Sequence, residues 1–363
     1  MTMQDNEEKR PYCTEIIELE GDFEADRESI LVASSLLRAG ELVAFPTETV
    51  YGLGADGLNE EACRRIFQVK GRPADNPLIL HVSDLAMAEG LIDENDRDNF
   101  YQIRPILDRL WPGPMTIIFR RSRLVPDVVT AGGPTVAIRM PAHPVALALI
   151  AETGRPIAAP SANRSGRPSP TRARDVFEDL DGDIPLVLDG GGCRIGIEST
   201  VIDLSQGRPQ ILRPGYYTGE YLGEFFPNLV WDPAIIDPTG IPRSPGQKYR
   251  HYAPKAEMIL LVGDPDKVDR CLQALVAGEG DKKLGLLLFE ENQVPEGDFE
   301  LIRQGSIQGL ERMSHDLFAN LREFDRRGVE KIYAVGPDGR EGLGLSIMNR
   351  MLKSASHHVI KCE

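Results

Sequence analysis

Ile30, Ala33 and Leu37 recur at helical spacing, and Gly40 stands just past them, where a left-handed backbone ends a helix. Leu42–Phe45 is a short apolar run cut off by Pro46, the pattern of a buried strand. Asn59 sits in a capping position ahead of a second helical face made by Ala62, Ile66 and Val69. Leu78–Val82, Met115–Phe119, Thr135–Met140 and Pro156–Ala159 predict further strands, with helical stretches around Ile106–Trp111 and Val145–Glu152. Ser169 followed by Pro170 predicts a helix start, since proline is preorganised for the first helical position. Leu186–Asp189, Ser199–Leu204 and Gln210–Arg213 complete a strand-rich half, and Glu15–Leu19 is a further candidate strand. Short loops mixed with crossovers predict an α/β domain with a mixed sheet over residues 1–215, ordered from about residue 15.

Residues 216–254 change character, with proline, glycine and tyrosine crowding together and no lasting helical or alternating pattern. This stretch reads as a linker, yet Tyr216, Tyr217, Tyr221, Trp231, Tyr249 and Tyr252 are not the residues of a free spacer. It is expected to lie on protein surface. Residues 255–363 alternate cleanly. A strand at Met258–Val262 precedes a helix opened by Pro265, and strands at Leu284–Phe289 and Glu300–Arg303 precede a helix striped by Leu310, Met313, Leu317, Leu321 and Phe324. Lys331–Val335 and Val359–Cys362 flank a last helix carrying Ile347, Met351 and Ala355, so a small, doubly wound, mostly parallel sheet is expected.

The chain has 363 residues, too many for one ordinary core. Its apolar runs are far shorter than a membrane span requires, and the amino-terminal sequence MTMQDNEEKR has no apolar region for a signal peptide, so a cytoplasmic location is expected. The formal charge is −15, from 41 Lys and Arg against 56 Asp and Glu. That argues against a protein whose main task is gripping a nucleic-acid backbone, while leaving room for a local basic pocket. Five scattered cysteines without a C-x-x-C fit a reduced compartment better than a disulfide framework. His357, His358 and Cys362 do not form a metal-ligand pattern, and no protein-bound metal is expected.

Five segments carry candidate chemistry. Lys70-Gly71-Arg72 ends a helix, and Asn76-Pro77-Leu78 opens a strand running to His81; cations on such a turn suit phosphate or carboxylate, or merely oppose a helix dipole. Thr47, Glu48 and Thr49 follow a buried strand, where open α/β sheets place ligands, or else serve an ordinary turn. Ser161-Ala162-Asn163 also follows a strand, and Thr135 and Arg139 face one side of another. Gly190-Gly191-Gly192, followed by Glu198-Ser199-Thr200, is a weak phosphate-loop signal. Gly339–Gly344 is weaker still and fits a helix-opening loop. No Ser-His-Asp set or paired-carboxylate spacing supports covalent nucleophilic catalysis.

FPTETVYGLG, KGRPADNPL, WPGPMT, VAIRMP, PSANRSG and GIESTVID occur in that order, and over roughly residues 20–215 the chain resembles the YrdC-like threonylcarbamoyl-AMP synthases. SPGQKYRHYAP (Ser244–Pro254) and the later GLGLSIMNRMLKSA resemble the long, two-domain Sua-type form of that family, with Gln247 standing where the family has Met. The resemblance implies a YrdC-like domain with a twisted mixed sheet, followed by a small Rossmann-like parallel-sheet domain. It implies synthesis of L-threonylcarbamoyladenylate from L-threonine, bicarbonate or CO2, and ATP, with release of diphosphate. Magnesium would enter with ATP, no organic cofactor is implied, and a separate tRNA threonylcarbamoyl transferase complex would take the product, with tRNA itself bound weakly if at all. By carry-over, Arg72, Asn76, Thr135, Ser161, Asn163, Arg213 and Tyr249 would serve ATP, with Lys70 and Arg72 acting in catalysis. Thr49, His81, Arg139, Ala159 and Ser199 would hold threonine, and Thr47 is not separable from Thr49. Tyr249 and its neighbours are expected to fold over the pocket, with the second domain anchoring the far end of that lid. The rival reading is a non-catalytic RNA-binding module using the same basic concavity.

Overall fold

The computed structural model describes residues 12–21, 23–236 and 251–363. The first sheet runs through eleven strands: β1 (Glu15–Glu18), β2 (Val43–Phe45), β3 (Gly52–Asp56), β4 (Ile79–His81), β5 (Met115–Arg120), β6 (Thr135–Arg139), β7 (Ile157–Ala158), β8 (Leu186–Asp189), β9 (Thr200–Asp203), β10 (Gln210–Arg213) and β11 (Val230–Trp231). Their lateral order is β1-β8-β2-β3-β7-β4-β6-β5-β9-β10-β11. Parallel pairs such as β4–β6 and antiparallel pairs such as β5–β6 occur together, which is the mixed sheet expected from the sequence.

Local signals fix most helix ends. The Asn59 side chain accepts from the amides of Glu61 and Ala62 and starts the helix Glu60–Lys70, and Gly71, at φ 59°, closes it in the left-handed conformation. The helix Pro144–Thr153 begins on its proline and buries Val145, Leu149 and Ile150 with Ile30, Ala33 and Leu37 of the helix Phe23–Arg38.

Ser169-Pro170 is a correction. The helix spans Ala173–Leu180, because the two preceding residues are committed elsewhere. The Tyr51 amide donates to the Pro170 carbonyl at 2.9 Å, and the Ser169 hydroxyl donates to Glu198 at 2.6 Å. Tertiary bonds outbid the local helix start. β3 was not expected either: Gly-Leu-Gly-Ala-Asp lacks alternation because both its faces are covered, all five residues being buried.

The supposed linker is structured over residues 216–236. Thr218 caps a short helix at Gly219–Gly223, β11 extends the first sheet beside β10, and Pro233–Ile236 is helical. Tyr217, Tyr221, Phe225, Phe226 and Trp231 belong to the first domain's core, which explains the aromatic content. Tyr249 and the motif residues Ser244–Arg250 lie outside the described residues.

The second sheet holds β12 (Glu257–Gly263), β13 (Leu284–Leu288), β14 (Glu300–Arg303), β15 (Lys331–Val335) and β16 (Val359–Cys362), in the order β14-β13-β15-β12-β16. Every pairing in it is parallel, as the alternation of strand and helix predicts. Beyond the role expected from the sequence, anchoring the far end of a lid, this domain packs directly on the first. Val50, Ile195 and Ile197 of the first domain sit in the second domain's core. Arg322, on the helix Leu310–Arg326, donates to Asp179 at 2.8 Å and to the Pro168 carbonyl at 2.6 Å, wholly out of solvent. Gly196 has φ +82°, and a Cβ there would run into the backbone of Ser314 and His315. Among the described residues no helix is long and apolar enough to cross a membrane.

Candidate active site

A cleft enclosing about 790 Å³, its open mouth included, lies in the first domain and is closed on one side by the residues that lead into the second. Four loops that follow strands or a helix supply its wall: Thr47–Gly52 after β2, Lys70–Pro77 after the helix Glu60–Lys70, Ala159–Gly166 after β7, and Glu198–Ser199 before β9. Strand residues Ile79 and His81 of β4, Arg139 of β6 and Arg213 of β10 complete it.

Thr47 and Thr49 both line the cleft and differ in their bonds. The Thr47 hydroxyl donates to the Val50 carbonyl at 2.7 Å and accepts from the amides of Thr49 and Val50, so it is consumed by the turn. Thr49 shares a 2.8 Å hydroxyl contact with it and lines the cleft, fully buried.

Lys70 is 3% exposed, and its ammonium donates to the Ser161 carbonyl at 2.5 Å and to the Asn163 carbonyl. The lysine therefore pins the Ser161–Asn163 loop to the helix end, rather than standing as a solvated dipole cap. Burial, and then the Arg72 charge, push its pKa well below the ordinary lysine value. Arg72 donates from Nε to the Asn76 carbonyl at 3.1 Å and from Nη2 to the Pro77 carbonyl at 2.9 Å. Burial, with Arg213 adding repulsion, brings its pKa down to about 10. Asn163 holds its own loop, accepting from Ser161 at 2.5 Å and donating to the carbonyls of Arg164 and Arg167.

On the opposite wall, Arg139 meets Glu48 at 2.8 Å, both side chains almost wholly buried. His81, buried beside Arg139, is pushed down to about 3, chiefly by desolvation, and is neutral at physiological pH. Ser199 contacts the Thr116 hydroxyl at 2.7 Å and accepts from Arg213 Nη2 at 3.1 Å, while Arg213 Nε donates to the Ser199 carbonyl at 3.0 Å.

The structure thus gathers Thr49, Lys70, Arg72, His81, Arg139, Ala159, Ser161, Asn163, Ser199 and Arg213 around one cleft. It does not bring Thr135 or the Asn76 side chain to the wall. Thr135 lies at the far end of β6, four residues and about 13 Å from Arg139. Asn76 is buried and contributes its carbonyl to Arg72. Glu48, Glu198, His251 and Tyr252 were assigned no ligand by sequence reasoning, although each stands inside a quoted motif. The only signal was adjacency: Glu48 lies between two candidate threonines, and Glu198 precedes Ser199. Tyr252 lines the cleft, stacks on Phe318 with ring centres 5.0 Å apart, and is raised to about 12 by burial and by Glu198. The Ala253 amide donates to the Gly166 carbonyl at 2.8 Å, so this end of the segment is tied to the cleft rim.

Lys70, Arg139 and Arg213 line the cleft from buried positions, an arrangement for a small anion and not for a nucleic-acid backbone tracked along a surface. Fold and cleft together define a two-domain α/β enzyme that takes small anionic substrates. A family model described as "Telomere recombination", covering Sua5, YciO and YrdC proteins, matches residues 35–215, and one described as "Threonylcarbamoyl-AMP synthase, C-terminal domain" matches residues 223–356. The Threonylcarbamoyl-AMP synthase of Pyrococcus abyssi is 45% identical over 92% of this chain and 95% of its own, and that of Bacillus subtilis 42% over 95% and 98%. The crystal structure of Pyrococcus abyssi Sua5 complexed with L-threonine superposes with a TM-score of 0.87 at 43% identity, covering 96% of this chain and 99% of that one. The chain belongs to the threonylcarbamoyl-AMP synthase family, in its two-domain Sua5 form. The RNA-binding alternative is set aside.

Proposed function

We infer that the protein makes L-threonylcarbamoyladenylate from L-threonine, bicarbonate or CO2, and ATP, releasing diphosphate. Family membership across nearly the whole chain supports the reaction. The observation that carries the chemistry is the inward convergence of Lys70, Arg72, Arg139 and Arg213 on one cleft.

The threonine nitrogen attacks the carbon of CO2, losing a proton and leaving a carbamate. A carbamate oxygen then attacks the α-phosphorus of ATP in line, and diphosphate departs. No covalent enzyme intermediate is required, so the protein's contribution is positioning and charge. Arg139 takes the threonine carboxylate, with Thr49, His81 and Ser199 around the amine and hydroxyl. A neutral His81 adds no charge there, and the cation assigned to threonine, Arg139, is shared with Glu48. Arg72 and Arg213 face the phosphates, Lys70 fixes the Ser161–Asn163 loop beside them, and Ala159 lines the junction. Magnesium would enter as part of the ATP substrate and offset the charge of its phosphates, with no protein ligand assigned to it.

The adenylate is a mixed anhydride suited to a transferase that modifies tRNA beside the anticodon, and tRNA itself is at most a weak ligand here. Five free cysteines agree with a cytoplasmic setting. The test is mass spectrometry of the adenylate with ATP, magnesium, bicarbonate and threonine present. Diphosphate release must need both threonine and bicarbonate. Serine, lacking a methyl contact worth about 1–3 kcal/mol, should be rejected only partly. Release independent of bicarbonate, or equal with serine, refutes the assignment.

A further inference from the structure

Arg350 sits on the second domain's helix Gly342–Ser354 and has no exposed surface, yet its bonds lie across the domain boundary. Its Nε donates to the Glu198 carboxylate at 3.1 Å, Nη1 to the Pro214 carbonyl, and Nη2 reaches the Glu198 carbonyl at 3.5 Å. Glu198 and Pro214 are the immediate neighbours of Ser199 and Arg213, both of which line the cleft and are themselves joined at 3.0 and 3.1 Å. The other Glu198 oxygen accepts from Ser169, so the carboxylate is held on both sides. Ser346, one turn earlier on the same helix, donates to the Gly215 carbonyl at 2.7 Å and fixes the continuation of that segment.

We propose that Arg350 is a positioning residue of the cleft: it clamps Glu198 and Pro214 so that Ser199 and Arg213 face the substrates, which makes the second domain part of the site. Three donors on one planar group grip two separate strand ends, a task no single ammonium can perform. A different interdomain cation provides the contrast. Arg326 pairs with Asp175 and Glu178, neither of which lines the cleft. If the second domain acted only as ballast, loss of either arginine would be felt alike.

The inference rests on the synthase reading for the identity of the ligands, and its test reads binding as well as turnover. Arg350→Met, Arg350→Lys and Arg326→Leu are prepared in the full chain. Each is titrated calorimetrically with ATP and with threonine, assayed for diphosphate release, and melted. Arg350→Met should weaken both ligands by about tenfold or more, with Arg350→Lys recovering part of the loss. Arg326→Leu should lower Tm while leaving both affinities within about twofold of wild type. Equal affinities in Arg350→Met and Arg326→Leu overturn the proposal. If the methionine variant does not fold, Arg350→Lys decides: weakening of both ligands beyond that of Arg326→Leu supports the clamp, and unchanged affinities overturn it. A wild type that binds both ligands but releases no diphosphate refutes the synthase reading and leaves the affinity comparison standing.

Discussion

Arg139→Ala is the most telling single change, provided its two consequences are pulled apart. Arg139 and Glu48 lie 2.8 Å apart with side chains 5% and 2% exposed. Removing the arginine leaves a buried carboxylate without its counter-charge, which costs about 3–5 kcal/mol. Against a total stability of about 5–15 kcal/mol, that alone can empty the native state and mimic a catalytic defect. The double variant Glu48→Gln with Arg139→Ala removes the orphaned charge at nearly constant volume. It should recover most of the stability lost in the single variant, read by urea unfolding. Threonine use should not recover. The carboxylate loses charge-assisted bonds worth about 1.5–3 kcal/mol, so the threonine KM should rise about 10- to 150-fold in both variants. ATP should be nearly indifferent, because the cations assigned to its phosphates, Arg72 and Arg213, are untouched. The assay is diphosphate release against threonine at saturating ATP and bicarbonate, then the converse titration. A wild-type threonine KM in the double variant, or an ATP KM rising in step, would refute the assignment of Arg139.

Arg72→Ala should raise the ATP KM by a similar factor and the threonine KM less, as measured by the same two titrations; the reverse order would exchange the two sites. His81 is held down to about 3 against an ordinary 6.5, so between those values the unfolded chain binds the extra proton and stability falls as pH falls. From pH 8 to pH 5 this amounts to about 2 kcal/mol, and His81→Gln should flatten that part of the urea-unfolding profile. Tyr249→Ala, in the segment outside the described residues, should weaken ATP and let adenylate escape faster without lowering Tm; unchanged product retention would leave the covering role without support.

The sequence carried the strands and parallel character of the second domain and the motif loops of the first because each had a local cause. Asn59 and Gly71 announce the ends of their helix, and Pro265 opens another in the domain that follows. What it did not carry was decided by distant partners. Ser169-Pro170 has the local form of a helix start, yet its atoms bond to Glu198 and Tyr51. The aromatic residues from Tyr217 to Trp231 carry no period because they fill gaps in a core built by other strands. Site residues with distinctive chemistry were legible, but the interior counter-charges were not. Glu48 and Glu198 look like any acidic residue in a chain with 56 of them, and only burial beside Arg139 and Arg350 distinguishes them.

A protein of net charge −15 that turns over polyanions must solve a problem that the cleft makes visible. Surface acidity repels ATP at long range, though screening limits that to about 8 Å at physiological ionic strength. Inside, the balance reverses. Lys70, Arg72 and Arg213 are crowded out of water, and burial first, then the Arg72 charge on Lys70 and the Arg213 charge on Arg72, pull their pKa values down. Such a cleft is electrostatically unfavourable when it holds no anion. Under the proposed reaction a triphosphate would supply that anion, most fully as charge spreads over the α-phosphoryl oxygens during carbamate attack. Glu48 and Glu198 are placed to limit the same repulsion at the other wall, each neutralising one arginine while leaving a neighbouring donor directed at the cleft. Each cation is held by the fold, Lys70 and Arg72 by backbone carbonyls and Arg213 by Ser199, so the charges stay fixed where charge would develop, the condition under which a transition state is stabilised more than the ground state.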